Sequence, residues 1–304
     1  SRAAVTVKGA TPGVASGDGD VETKVGIWAK GLFNSGSAKK DAFKYLDLSY
    51  NNLGATIGLD ATFNDRFVVG GAFTIASGKI SSASKQKEDN ATNKNEEKIN
   101  TATNIFSLYG RAMLMNELSF DANVNFGQAK LSNSKNSDQE NKKESSKDLG
   151  KMGLFDIEGK FVYTVKAGDN VWLRPFVGAG YTSVTAKELL GQKIESDIKD
   201  LYNHARIMVG TSVGTDIVNG DLTITPEAHV GGALVLGGSS SKDKEAKSVQ
   251  ELVKQELDLG SFFNVGASAN VGHKNGLEFG VGGDINMNKK FNNYSGFLKV
   301  KVSL

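Results

Sequence analysis

Leu118-Ser119-Phe120-Asp121-Ala122-Asn123-Val124-Asn125-Phe126 is the stretch that decides the fold class. Leu118, Phe120, Ala122, Val124 and Phe126 share one parity, and Ser119, Asp121, Asn123 and Asn125 share the other. Successive side chains of a β-strand point to opposite faces, so a period of two sets an apolar face against a polar one. On a helix both sets would be scattered around the axis. The stretch is a strand between two different environments.

The same alternation recurs along the chain. In 155–165, Phe155, Ile157, Phe161, Tyr163 and Val165 oppose Asp156, Glu158 and Lys160. In 222–230, Leu222, Ile224, Pro226, Ala228 and Val230 oppose Thr223, Thr225, Glu227 and His229. The chain ends on Tyr294, Gly296, Leu298, Val300, Val302 and Leu304 against Ser295, Lys299, Lys301 and Ser303. Twelve strands are predicted, near 24–33, 53–63, 66–78, 101–115, 118–132, 152–166, 171–184, 204–218, 222–236, 257–273, 277–287 and 293–304. Turn-forming residues such as Asn64-Asp65, Asn116-Glu117 and Asn219–Asp221 mark short connections, because they tolerate positive φ. Long polar connections at 34–52, 79–100, 133–151, 185–203 and 237–256 alternate with them, and 288–292 completes the series. In an antiparallel barrel alternate connections emerge at the same end. All the short turns then lie at one end, with long loops at the other, as in outer-membrane barrels with short periplasmic turns and long extracellular loops. Spaced apolar residues predict short helices within two loops, at 187–202 and 242–257, and the loops 81–98 and 133–148 read as mobile.

The polar faces are strongly ionic, carrying Lys30, Asp60, Arg111, Asp121, Glu158, Arg174, Arg206, Asp216, Glu227, Asp258, Glu278, Asp284 and Lys299. The apolar faces carry no charge at strand centres, where lipid would penalise it by about 2–4 kcal/mol. Phe33, Phe63, Phe67, Tyr181, Phe291 and Tyr294 stand near strand ends, where an interfacial girdle is expected. The fold class is therefore all-β, a 12-stranded antiparallel transmembrane β-barrel over 24–304 with a charged lumen. Residues 1–23 are expected to be a linker, being rich in Gly and Asp and lacking periodicity.

Composition excludes several alternatives. No apolar run reaches the roughly 20 residues of a membrane helix. There are 36 Gly, 3 Pro and no Cys, which removes disulfides and thiolate chemistry and suits bent, closely packed sheets. A net charge of +2 gives no reason to expect a nucleic-acid partner. Ser1 opens no basic–apolar–small leader, so the chain is expected to be a mature product or an excised domain.

The segments KVGIWAKGLFN (24–34), LGATIGLDATFNDRFVVGGAFT (53–74), LRPFVGAGY (173–181), TPEAHVGGAL (225–234) and YSGFLKVKVSL (294–304) resemble the twelve-stranded translocator domain of type V autotransporters. The background rich in Lys and Asn resembles the rickettsial surface-antigen members. The resemblance covers about 24–304. It implies a barrel in a Gram-negative outer membrane that exports and anchors an upstream passenger. It also implies insertion by the barrel assembly machinery among outer-membrane lipid and lipopolysaccharide, as a monomer, with no cofactor. In such proteins the last strand carries an assembly signal, here matched by Tyr294, Leu298, Val300, Val302 and Leu304. The family commonly ends on an aromatic residue, and Leu304 departs from that. A helix commonly precedes the first strand inside the lumen, whereas 1–23 holds Gly9, Pro12, Gly13, Gly17 and Gly19. The Asn pairs 51–52 and 292–293 lie outside the linker, so the intrabarrel cleavage of some members is not carried over.

Candidate chemistry is sparse. His204, His229 and His273 fall on separate strands without metal-ligand spacing, and no metal site is expected. Arg111, Arg174 and Arg206 are expected to line the lumen with Asp121, Glu227 and Asp216 as respective partners, holding a plug or the passenger linker. The expected function is non-enzymatic export. A stand-alone pore or adhesin is the first alternative, and a hydrolase built from 187–204 is the second.

Overall fold

A computed structural model describes residues 23–38, 46–84, 96–134, 146–168, 170–189, 192–193, 200–236 and 261–304. Twelve long strands carry the fold. They are β1 (Thr23–Ala38), β2 (Leu46–Phe63), β3 (Phe67–Ser84), β4 (Glu96–Met113), β5 (Leu118–Ser134) and β6 (Ser146–Tyr163). There follow β7 (Val171–Leu189), β8 (Asp200–Thr215), β9 (Leu222–Leu236), β10 (Phe262–His273), β11 (Leu277–Met287) and β12 (Phe291–Ser303). The pieces Val165–Lys166, Gln192–Lys193 and Ile217–Asn219 continue strand pairing beyond these limits. Each strand pairs antiparallel with the next, and β12 pairs with β1 from Gly26↔Ser303 to Ala38↔Phe291. The barrel is closed, as lipid requires, because an open edge would leave backbone groups unpaired in hydrocarbon.

Burial is inverted relative to a water-soluble protein. Ile57, Leu53 and Leu298 are 65–68% exposed, while Asp60 and Asn264 are 4% and 2% exposed. The exposed apolar residues share the outward parity of every strand. Transfer from water to lipid favours each such side chain by about 1.5–3 kcal/mol, so the alternation selects a bilayer as its solvent.

At the short-turn end, strand limits follow the sequence closely. Asn64 and Asp65 both adopt φ of 51°, the pair of positive angles that a type I′ hairpin turn needs. At the other end several strands run further than expected: β1 reaches Ala38, β2 begins at Leu46, β3 reaches Ser84 and β4 begins at Glu96. Both faces there are in water, so alternation fades while backbone pairing continues. The mobile loops expected at 81–98 and 133–148 thus begin and end as paired strand, and 85–95 and 135–145 lie outside the described residues.

The helix expected at 187–202 is corrected in its described part. Lys187–Leu189 end β7, Gln192–Lys193 pair back onto Glu188 and Leu189, and Asp200 opens β8. Backbone bonds to neighbouring strands are available there, and they win over an isolated helical turn or two. Residues 190–191 and 194–199 lie outside the described residues, as do the expected helix at 242–257 and residues 1–22 of the expected linker. Thr23 already belongs to β1.

Candidate functional site

The lumen wall is built from the inward parity of all twelve strands. Arg111 on β4 and Asp121 on β5 are directly opposite in register. They form a bidentate pair, Nε to Oδ1 2.6 Å and Nη2 to Oδ2 2.7 Å, with Lys160 of β6 3.9 Å from Asp121. Planar fork-to-carboxylate geometry fixes both side chains against the wall.

Other inward pairs skip a strand, and a glycine on the strand between makes room. Arg206 on β8 reaches over Gly180 of β7 to Asp156 and Glu158 of β6, at 2.9 and 3.0 Å. Thr182 completes this cluster by donating to Asp156, 2.6 Å away. His229 on β9 meets Asp284 on β11 at 2.7 Å across Gly266 of β10. Lys301 on β12 meets Asp60 on β2 at 2.8 Å across Gly26 of β1. A Cβ at Gly26 would stand 2.5 Å from Lys301 Cε and 2.7 Å from Asp60 Oδ1. Beside Asp60, the Trp28 indole donates to the Tyr109 hydroxyl at 2.8 Å, its ring lying over Gly58.

These observations place each expected residue. Arg111 and Asp121 are brought together. Arg206 and Asp216 are not, because they lie ten residues apart along one strand direction, about 33 Å at strand rise. Asp216 instead accepts from Thr225 Oγ1 at 2.7 Å. Arg174 stacks over the Trp172 ring at 3.8 Å and interacts electrostatically with Glu227 and Asp216 without hydrogen-bonding to either. The sequence reading missed the partners Asp156 and Lys301 and the Trp28–Tyr109 contact. The inward glycines were the available signal, since a glycine on the polar parity of a strand has no lipid role.

One cavity collects Lys30, Arg111, Arg174, Glu158, Glu227 and Asp284 around a common space. Both signs of charge face it, so it favours polar chain or water over any one ion. Among the described residues no three His, Asp or Glu side chains converge as metal ligands.

The autotransporter β-domain family matches residues 27–292. The chain belongs to that family. Like other autotransporter β-domains, it resides in the outer membrane of a Gram-negative bacterium. It is 26% identical over 97% of its length to outer membrane protein B of Rickettsia prowazekii, of which it spans 18%. It is 24% identical over 95% of its length to outer membrane protein A of Rickettsia conorii, spanning 14% of that protein. The domain therefore corresponds to a small fraction of these longer relatives, and neither their names nor the family description names an enzymatic activity. Among solved structures, the β-domain of the Bordetella autotransporter BrkA is similar with a TM-score of 0.61 at 12% identity, covering 92% of this chain and 99% of that one. The translocator domain of NalP from Neisseria meningitidis follows at 0.59 and 11% identity, covering 94% and 89%.

Proposed function

We propose that the domain exports an upstream passenger to the cell surface and then anchors it, without breaking or making covalent bonds. The observation that carries this reading is the closed, even-stranded barrel with an ionic lumen in an autotransporter β-domain. An even strand number brings the first and last strands to the same rim, the one with the short turns. A passenger joined to β1 at that rim must then pass through or beside the lumen to reach the long-loop side. In this reading Arg111, Arg174, Arg206, Asp121, Asp216 and Glu227 exchange wall contacts for contacts with the passing or plugging segment. Wall charges of both signs offer polar contacts along the passage without an excess of either sign.

The outward residues Tyr294, Leu298, Val300, Val302 and Leu304 of the final strand serve, on this proposal, as the signal read by the barrel assembly machinery. The monomeric barrel then sits among lipopolysaccharide and phospholipid. Fusing a folded reporter ahead of Ser1, with a periplasmic leader, tests the function. Surface protease should digest the reporter on intact cells. Reporter retained in the periplasm beside a correctly inserted barrel would refute export.

A further inference from the structure

Three skip-strand pairs on the lumen wall share one construction, in which a basic side chain crosses an inward glycine to a carboxylate two strands away. Arg206 crosses Gly180, His229 crosses Gly266 and Lys301 crosses Gly26. A fourth place has the same parts and a different outcome. Arg174 on β7 and Glu227 on β9 flank Gly214 of β8, which is the direct cross-strand partner of both Trp172 and Glu227. Here the six-membered ring of Trp172 fills the clearing over the glycine. The Arg174 guanidinium stops on top of that indole, 3.8 Å from the ring centre. Trp172 is 6% exposed, and its buried Nε1 meets no acceptor. Hydrogen bonding does not explain where the ring sits, whereas its role as a platform for the cation does.

The outcome is a cation and an anion that face one cavity without pairing. Glu227 acts on Arg174 through space, as do Arg111, Asp216 and Asp121, yet no hydrogen bond or ion pair joins Arg174 or Glu227 to a described residue. Arg111 and Arg206, by contrast, are tied to the wall by carboxylates. A guanidinium only donates and a carboxylate only accepts. An incoming carboxylate would lie beside Glu227, and an incoming ammonium beside Arg174. A neutral peptide group suits both, with its C=O toward Arg174 and its N–H toward Glu227.

The chain ahead of β1 is within reach. β1 and β7 lie six strands apart on the twelve-strand ring. With about 4.8 Å between strands and a tilt of about 40°, they face each other across roughly 24 Å. Arg174 stands three residues above the short-turn end of β7, and Thr23 opens β1 at the same rim. Gly17 precedes Thr23 by six residues. Six extended residues cover about 20 Å, and the arginine side chain covers the remainder. Ser16-Gly17-Asp18-Gly19 carries glycine at alternate positions, and the missing Cβ lets the backbone come close to a side-chain pair.

We infer that Arg174 and Glu227, kept apart by Trp172, form a clamp for the main chain of the segment around Gly17. The inference rests on the export reading above and assigns the contact to peptide groups, so the clamp is indifferent to side-chain charge.

The chain has no Cys, so paired cysteines report proximity without background. The test uses cells exporting the reporter fusion, treated with a mild oxidant. Ser16→Cys/Ser212→Cys, with Ser212 directly opposite Arg174, should form a disulfide at least about tenfold faster than Ser16→Cys/Ser107→Cys on β4. Adding Arg174→Met or Glu227→Gln to the Ser212 pair should slow it about tenfold each, as expected for the loss of one charge-assisted hydrogen bond. Asp18→Asn/Asp20→Asn should leave the rate unchanged. Equal rates for the two pairs, or no effect of Glu227→Gln in a barrel of normal heat-modifiable mobility, overturns the inference. Loss of the disulfide in Asp18→Asn/Asp20→Asn also overturns it, because the ligand would then be a carboxylate. A reporter held in the periplasm beside an inserted barrel overturns this inference and the export reading together. A protease-accessible reporter without the preferred disulfide overturns this inference alone.

Discussion

Lys301 of the last strand passes over Gly26 of the first strand and donates to Asp60 of the second, Nζ to Oδ1 2.8 Å. The pair thus spans the seam where the barrel closes, joining residues 241 positions apart in the chain. Backbone hydrogen bonds between β1 and β12 close the ring, and this contact adds a side-chain tie on its inner wall. Asp60 is 4% exposed, so its charge depends on that tie and on the Tyr109 hydroxyl 3.4 Å away.

A methyl group at Gly26 should therefore act through Lys301. Gly26→Ala displaces the flexible end of the lysine and leaves Asp60 buried with less compensation, at a cost of about 1–3 kcal/mol. Lys301→Met should cost a similar amount, and the double variant should cost much less than the sum. Urea unfolding in vesicles measures all three. Strict additivity would show that the glycine and the ion pair act independently.

Arg206 holds two carboxylates at once. Arg206→Met should destabilise the barrel by about 3 kcal/mol, the lower end for breaking a buried pair, because these side chains retain 11–18% of their exposure. Adding Asp156→Asn and Glu158→Gln should restore much of the loss. The same unfolding assay decides this, and a triple variant no more stable than the single one would contradict it.

Reversing charge at Arg111 leaves Asp121 facing a carboxylate on the cavity wall. Arg111→Glu should move the reversal potential of single barrels in planar bilayers toward cation selectivity and change their conductance. Unaltered conductance, selectivity and passenger export would remove Arg111 from any functional role in the lumen.

On the outer face, Ile57 lies six residues from the short-turn end of β2 and is 65% exposed. That height is near the bilayer midplane. Ile57→Lys should destabilise insertion by about 2–4 kcal/mol. Its inward neighbour Thr56 bonds to Thr74 at 2.8 Å and senses no lipid, so Thr56→Val should instead lose only about 1 kcal/mol. Equilibrium folding into vesicles compares the two, and equal costs would mean the faces are misassigned.

How far the sequence could be read depends on the distance over which each feature is set. Alternation such as Leu118–Phe126 is local and depends on one strand and its two solvents, so strand number and facing were legible. Arg111 and Asp121 were legible as a pair because a short turn joins their strands and fixes the register. Arg206 was assigned the wrong partner because its true partners sit two strands away. A skip-strand contact requires knowing how registers add around the ring and where a glycine clears the path. Strand ends at the long-loop rim, such as Asn34–Ala38, were invisible for another reason: water on both faces erases the pattern while hydrogen bonding persists.

The inverted burial has a thermodynamic consequence. Residues such as Leu53, Ile57 and Leu298 gain their apolar free energy from acyl chains and not from one another. The folding free energy is thus a joint property of the polypeptide and its lipid, and the bilayer's thickness and composition enter it as fully as any side chain.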